Sequence, residues 1–197
     1  MMFLDPDKPL YTCDEESCAD CPVSGKLVCH FNGRQLSVFL VLALPLFLAA
    51  GYALGAYNPF LLIPWVVFIF SYFGFIEIRV MCSHCPHYAE PDVRSLKCWA
   101  NYGSPKVWKY RPGPMNSMEK AVFIAGLLVI LVPPVVFLLL EGLFLFAAAY
   151  GVILILWKVL LNLGFCRRCI NFACPFNSVD TETRGVFNAK NSMTGTE

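Results

Sequence analysis

The chain has 197 residues, of which 57% are hydrophobic and only 15% are charged, and its formal net charge at pH 7 is +1. Soluble globular domains usually carry about 25% charged residues, so this composition excludes an ordinary soluble fold. The apolar residues fall into four blocks, each with the roughly 20 residues that an α-helix needs to cross a bilayer. These blocks are 36–57, 60–80, 121–140 and 143–161. The composition therefore predicts an all-α membrane protein with four transmembrane helices.

Consecutive blocks are joined by very short connections at 58–59 and 141–142. We therefore expect the spans to form two helical hairpins, and Pro133-Pro134 is expected to kink the third span. The chain then divides into an N-terminal arm, hairpin 1, a loop, hairpin 2 and a C-terminal tail, over residues 1–35, 36–80, 81–118, 119–164 and 165–197.

The charges predict one orientation for this topology. All 15 Lys and Arg residues fall in 1–34, 79–120 or 158–190, and Glu141 is the one ionisable residue in the opposite turns. Short positive segments stay in the cytosol, so both termini and the loop are expected to be cytosolic. If the protein is prokaryotic, the location would be the inner or plasma membrane. The opening MMFLDPDKPLY lacks a basic region followed by an apolar stretch, so no signal peptide is expected.

The ten cysteines all lie outside the predicted spans and on the predicted cytosolic side. They are grouped by segment as Cys13, Cys18, Cys21 and Cys29 in the arm, Cys82, Cys85 and Cys98 in the loop, and Cys166, Cys169 and Cys174 in the tail. Thiols stay reduced in the cytosol, so a disulfide framework is not expected. Clustered C-x2-C pairs in a reducing compartment are typical of metal sites. The pattern therefore predicts a Cys-rich, metal-stapled cap over the four helices, with unligated, palmitoylated or redox-sensing thiols as the alternative.

The choice of metal stays open between an iron–sulfur cluster and Zn²⁺. Proline follows Cys21, Cys85 and Cys174, as it follows the last ligand of bacterial ferredoxin motifs. The tail nevertheless lacks a complete ferredoxin motif, and the arm's Cys18-x2-Cys21…Cys29-His30 fits a zinc knuckle as well.

We expect the arm's cysteines to form a centre of their own. In the rest of the chain, both C-x2-C pairs lie just past the ends of spans two and four. If those spans are neighbours, the four sulfurs of Cys82, Cys85, Cys166 and Cys169 would converge on one site at the membrane surface. Cys98 and Cys174, with His84 or His87, would complete or support a second site.

Glu77 and Lys158 are the ionisable residues inside the spans, and intramembrane charges are candidates for function. They are candidate residues for binding a quinone or lipid; the alternative is that Glu77 pairs with Lys158 or Arg79 while Lys158 snorkels to the interface. No histidine lies in a predicted span, which argues against a b-type haem held by two helix-borne histidines. Basic and aromatic residues of the loop indicate an interfacial belt at the lipid surface rather than a nucleic-acid site.

Two functions are consistent with these features. The first is an iron–sulfur electron-transfer subunit that links a cytosolic protein partner to the membrane or to a quinone. The alternative is a zinc-stapled membrane scaffold that recruits a partner and has no redox role. Both functions suit a subunit better than a free-standing enzyme, because the chain carries no catalytic motif beyond its cysteines. Disulfide exchange and soft-metal transport fit less well, because the first needs thiols on the oxidising face and the second needs them within the spans.

Overall fold

The computed structural model describes residues 10–13, 17–90 and 94–192. Residues 1–9, on which the prediction about a signal peptide mainly depends, lie outside this part of the chain. Within these residues the chain forms six α-helices: α1 (Gly33–Tyr57), α2 (Leu62–Ser71), α3 (Glu77–Val80), α4 (Ser117–Leu140), α5 (Phe144–Gly164) and α6 (Thr181–Asn191). No β-strand forms in the described residues, which contain only isolated bridges.

Four helical stretches are long and apolar enough to cross a membrane. We call them spans 1 to 4; they cover Gly33–Tyr57, Pro59–His84, Ser117–Leu140 and Phe144–Arg168. Their outward side chains are large and apolar: Phe60, Phe70 and Leu145 are 79%, 73% and 81% exposed. Soluble proteins rarely expose such continuous apolar surface. The prediction of four apolar helices is confirmed, whereas the pairing into hairpins and the orientation stay predictions.

Local capping explains why spans 1 and 3 begin earlier than the hydropathy pattern predicts. Asn32 accepts a hydrogen bond from the Gln35 amide, and the Gln35 side chain accepts one from the Asn32 amide. Asn116 and Glu119 form the same reciprocal capping box at the start of α4. Each box satisfies two amide groups that a helix start leaves without partners. The helix end between α4 and α5 is set by Gly142, whose φ of 70° is a left-handed value that suits glycine.

Helix α4 lies at the centre of the helical packing, in contact with α1, α3 and α5, and α1 also packs on α5. Pro133 and Pro134 lie within α4, which continues through both residues as one helix. Small side chains bring the helices close together at Ala50, Ala53 and Ala147, around the buried Tyr150. Within the described residues, spans 2 and 4 share no substantial helix–helix interface. The fold therefore does not provide the contact that was expected to bring their C-x2-C pairs together.

Span 2 is interrupted by a π-helical turn over Tyr72–Ile76, directly before α3. The side chain of Tyr72 is fully buried and donates a hydrogen bond to the backbone oxygen of Phe123 over 2.6 Å. The Tyr72 ring lies so close to Gly126 of α4 that a Cβ at this glycine would overlap it. The contact of the Tyr72 ring with Gly126 thus holds span 2 against α4.

We expect Gly126→Ala to destabilise the protein by about 1–3 kcal/mol, because the added methyl group forces the Tyr72 ring out of its position. Thermal unfolding in detergent, followed by circular dichroism, measures the change. Gly151→Ala is the matched control, since a Cβ at Gly151 of α5 meets no atom within 4 Å. It should leave stability unchanged or raise it through the better helix propensity of alanine. Equal stability of both variants would contradict the close packing of Tyr72 on α4.

Candidate metal centres

The four cysteines of the N-terminal arm lie near one another; we call them the arm group. The thiol of Cys29 lies within electrostatic range of Cys13, Cys18 and Cys21. A tight turn places Cys21, since its amide donates to the backbone oxygen of Cys18 over 3.3 Å. Burial, and then the charges of Cys13 and Cys21, raise the pKa of Cys29 to about 11. Cys18 is exposed, so this group reaches the surface.

The other six cysteines gather near the ends of spans 2 and 4 and form a second group, the loop–tail group. Its members are Cys82, Cys85, Cys98, Cys166, Cys169 and Cys174. Short 3-10 turns, Cys82–His84 and Cys166–Arg168, follow α3 and α5 and carry the first cysteine of each C-x2-C pair. The remaining cysteines come from the loop and from the segment before α6, so three separate parts of the chain contribute to this group.

Within the loop–tail group, electrostatic interactions are not limited to the four cysteines of the two C-x2-C pairs. Cys85 is in electrostatic range of Cys98, Cys169 and Cys174. Cys169 is also in range of Cys98 and Cys174. Cys166 is within electrostatic range of Cys174. Cys98 and Cys174 thus lie within electrostatic range of Cys85 or Cys169, and the division of these cysteines between metal sites stays a prediction.

The same four cysteines share one backbone feature. In each case the amide of the second residue after the cysteine lies near its sulfur: His87 for Cys85, Ala100 for Cys98, Asn171 for Cys169 and Phe176 for Cys174. For Cys169 the amide nitrogen lies 3.5 Å from the sulfur. Amide donors stabilise the negative charge of a thiolate, which is the form that binds a metal.

Cys82 lies beside this set of four cysteines. Its thiol is within electrostatic range of Cys85, Cys98 and Cys174. Its hydrogen-bond donor is of a different kind, because the side-chain amide of Asn101 donates to its sulfur over 3.6 Å. Cys82 is therefore a neighbour of the four cysteines and does not share their backbone arrangement.

Burial opposes the stabilisation by amides in the free thiols. Burial raises the pKa of Cys98 to about 11 and that of Cys174 to about 12. It raises the pKa values of Cys85 and Cys169 as well, and the neighbouring thiolates add to the effect. These side chains are therefore neutral thiols at pH 7 unless a cation compensates their charge.

The sulfurs of each group are neighbours but do not form a finished coordination sphere. In the described part of the chain, no three His, Cys, Asp or Glu side chains stand close enough to hold one metal ion directly. The donor chemistry of four thiols with amide partners nevertheless fits a tetrathiolate site. The assignment of the ten cysteines as metal ligands stays a prediction.

Glu77 and Lys158 both lie beside the loop–tail group, within electrostatic range of Cys174. Glu77 is buried and hydrogen-bonded to the side-chain amide of Asn101, the same residue that donates to Cys82. Lys158 places its ammonium 3.7 Å from the centre of the Phe176 ring. Among the described residues, Glu77 forms no ion pair with either Lys158 or Arg79, so the predicted alternative of such a pair is not what the structure has.

Glu119 organises the loop beside this group, and none of the expectations from the sequence includes it. Its carboxylate accepts hydrogen bonds from Arg111 and from the Asn116 amide, and lies 3.2 Å from Nε2 of the buried His84. The other ring nitrogen of His84 donates to the backbone oxygen of Gly113. The spacing Asn116-x-x-Glu119 is a readable capping box, and it is the sequence signal that could have identified this residue.

No protein-family model matches the chain, and no curated protein or solved structure matches it. The functional argument therefore depends on the geometry and donor chemistry of the two cysteine groups.

We expect metal binding to release protons, because the buried thiols must become thiolates. Titration of the chelator-stripped, full-length protein with Zn²⁺ should release about four protons per ion for a four-thiol site. A pH-indicator dye measures this release. Since protons compete with the metal, the apparent affinity should fall as the pH is lowered. Release of fewer than about one proton per ion would contradict a thiolate site.

Proposed function

We propose that this chain is an integral membrane protein with both termini in the cytosol and two helical hairpins, capped by thiolate-bound metal centres. In this proposal the centres are iron–sulfur clusters that carry electrons between a cytosolic protein partner and the membrane or its quinone. The chain supplies ligands and surroundings for the clusters and performs no bond-making chemistry of its own. It would act as an electron-transfer subunit.

One observation carries the proposal. Cys98, Cys169 and Cys174 lie within electrostatic range of Cys85, and each of these four cysteines has the amide of the second residue ahead near its sulfur. Amide donors near all four sulfurs favour the negatively charged thiolate form, which is the form that binds a metal. Hydrogen bonds to sulfur and burial are also the means by which proteins set the potential of an iron–sulfur cluster.

The position of the group supports a link to the membrane. Beside it, a cavity of 340 Å³ opens at the end of span 4, lined by Lys158, Val159, Asn162, Leu163 and Arg167. Lys158 supplies a hydrogen-bond donor there, and the apolar side chains at its rim are exposed. A quinone headgroup needs polar groups beside apolar surface, and this open cavity at the helix end carries both.

The alternative function, a zinc-stapled scaffold without redox activity, is favoured by one contact in the arm. Nε2 of His30 lies 3.0 Å from a carboxylate oxygen of Glu90. Histidine ligands of zinc commonly direct the other ring nitrogen to a carboxylate. His30 directly follows Cys29, so its Nδ1 could complete a site with three arm cysteines.

Metal analysis separates the two functions. We expect anaerobically purified protein to be brown, with several irons per chain, because clusters held by four thiolates absorb visible light. A colourless protein with stoichiometric zinc would favour the scaffold. The absence of both metals would contradict both functions.

The ligand set can be tested in the same preparation. Cys98→Ser and Cys174→Ser should each deplete the same centre, since each removes one of four sulfurs. Cys82→Ser and Cys166→Ser are the matched controls, because these cysteines lack the amide from two residues ahead, and they should retain most of the metal. If Cys82→Ser and Cys166→Ser deplete the metal while Cys98→Ser and Cys174→Ser retain it, the ligands would instead be the four cysteines of the two C-x2-C pairs.

The orientation predicts which introduced thiols can be labelled. Glu141→Cys, in the turn after α4, should react with a membrane-impermeant maleimide in intact cells. Lys120→Cys lies exposed at the other end of the same helix and is the matched control. It should react only after the cells are permeabilised. Labelling of the unmodified protein in intact cells would contradict the cytosolic position of the thiols.

A further inference from the structure

Two arginines from separate parts of the chain share one carboxylate where span 2 ends and span 3 begins. Arg79 lies in α3 and Arg111 in the loop, and both contact Glu119 in the first turn of α4. Arg111 forms the closer ion pair, whereas the guanidinium of Arg79 stays 3.8 Å from the carboxylate. Two positive charges therefore face one negative charge at this place.

The buried Ser83 holds the backbone of the two arginines together. Its hydroxyl donates a hydrogen bond to the backbone oxygen of Arg79 over 2.6 Å. Its own backbone oxygen accepts one from the Arg111 amide over 2.9 Å. The two arginines are thus positioned in the absence of any ligand, which reduces the conformational freedom that would be lost on binding.

The two guanidinium groups reach solvent, while the carboxylate between them is covered. The side chains of Arg79 and Arg111 are 41% and 33% exposed, and that of Glu119 is 10% exposed. Within the described part of the chain, the guanidinium of Arg79 donates no hydrogen bond. A guanidinium with free N–H groups can bind two oxygens of a phosphate group at once. The exposed groups of this site therefore suit an anion.

An exposed aromatic surface lies directly beside the arginines. The Arg79 guanidinium lies over the Trp108 ring, 5.6 Å from its centre. The Trp108 indole N–H donates to the backbone oxygen of Phe75, in the π-helical turn of span 2, over 3.3 Å. Both rings are exposed. Tryptophan side chains with a satisfied N–H and a free apolar face are typical of the membrane interface, so the apolar part of a lipid fits beside the anion site.

We propose that Arg79 and Arg111 bind the phosphate of an anionic phospholipid at the end of span 2, with Trp108 and Phe75 against its glycerol and acyl chains. The excess positive charge favours an anionic lipid over a zwitterionic one, because a choline group would bring another cation to the two arginines and would find Glu119 covered. A free phosphate ion would leave the aromatic surface unused. This inference rests on the membrane position in the proposed function and on none of its metal chemistry.

Native mass spectrometry of the full-length protein in a neutral detergent tests this site. The probe is dioleoyl phosphatidylglycerol, and dioleoyl phosphatidylcholine is the zwitterionic comparison. The unmodified protein should bind the anionic lipid about fivefold more tightly or better, and the preference should fall as the salt concentration rises. Equal affinity for the two lipids would overturn the proposal, and this measurement depends on no variant.

Variants locate the preference on the surface. Arg79→Gln should lower the affinity for phosphatidylglycerol by about fivefold and leave thermal stability nearly unchanged, since the guanidinium donates no hydrogen bond in the protein. Arg79→Lys keeps the charge and should recover most of the affinity, which a general packing defect would not allow. Arg168→Gln is the matched control, because it removes the same charge from an exposed arginine at the end of span 4. It should keep the affinity of the unmodified protein.

Three results would overturn the assignment of this site. The first is unchanged lipid affinity in Arg79→Gln, and the second is an equal loss in Arg168→Gln, which would indicate a general attraction between a positive surface and anionic lipid. The third is displacement of the lipid by millimolar inorganic phosphate, which would indicate a simple anion site. A protein without metal would contradict the proposed electron transfer and leave this inference intact, whereas a chain that does not insert into membranes would contradict both.

Discussion

A charged side chain inside hydrocarbon costs free energy, and this cost accounts for where the ionisable and sulfur-bearing side chains lie along the chain. An ionised side chain at the centre of a bilayer costs several kcal/mol, and the four long apolar helices carry their ionisable side chains toward the ends next to the arm, the loop and the tail. Polar and sulfur-bearing side chains are consequently concentrated in the arm, the loop and the tail. These segments are each a few tens of residues long and cannot bury a large core alone. Their fold depends on one another and on the helix ends beneath them.

The cysteines of the loop–tail group meet a similar cost, because burial disfavours their charged thiolate form. Burial raises the pKa values of Cys85, Cys98, Cys169 and Cys174, and neighbouring thiolates of this set add to the effect at Cys85 and Cys169, although an amide lies near each sulfur. Donors that stabilise a thiolate and burial that disfavours it are in conflict within the free protein. A bound cation resolves the conflict, because it lowers the energy of the thiolates and removes their mutual repulsion.

The sequence predicts the helices well and their partners less well, for physical reasons. Hydropathy locates the starts of spans 1 and 3 to within about one helical turn, because burial in hydrocarbon requires a continuous apolar run. It does not show the capping boxes that extend them, and it does not predict α6, whose short amphipathic pattern stands outside the apolar blocks. The association of Cys98 with Cys85 depends on the path of an irregular loop, which no periodic pattern records. The contact of Glu77 with Asn101 escapes prediction for the same reason.

The π-helical turn in span 2 connects the membrane helices to the cap. A π-turn inserts an extra residue into a helix and rotates the residues after it, and such turns often occur at functional sites. Here Tyr72 at its start is fixed by Gly126 and by the backbone oxygen of Phe123. Glu77 directly follows the turn and meets Asn101, whose amide also donates to Cys82. Packing between span 2 and α4 thereby helps to position a carboxylate beside the loop–tail group.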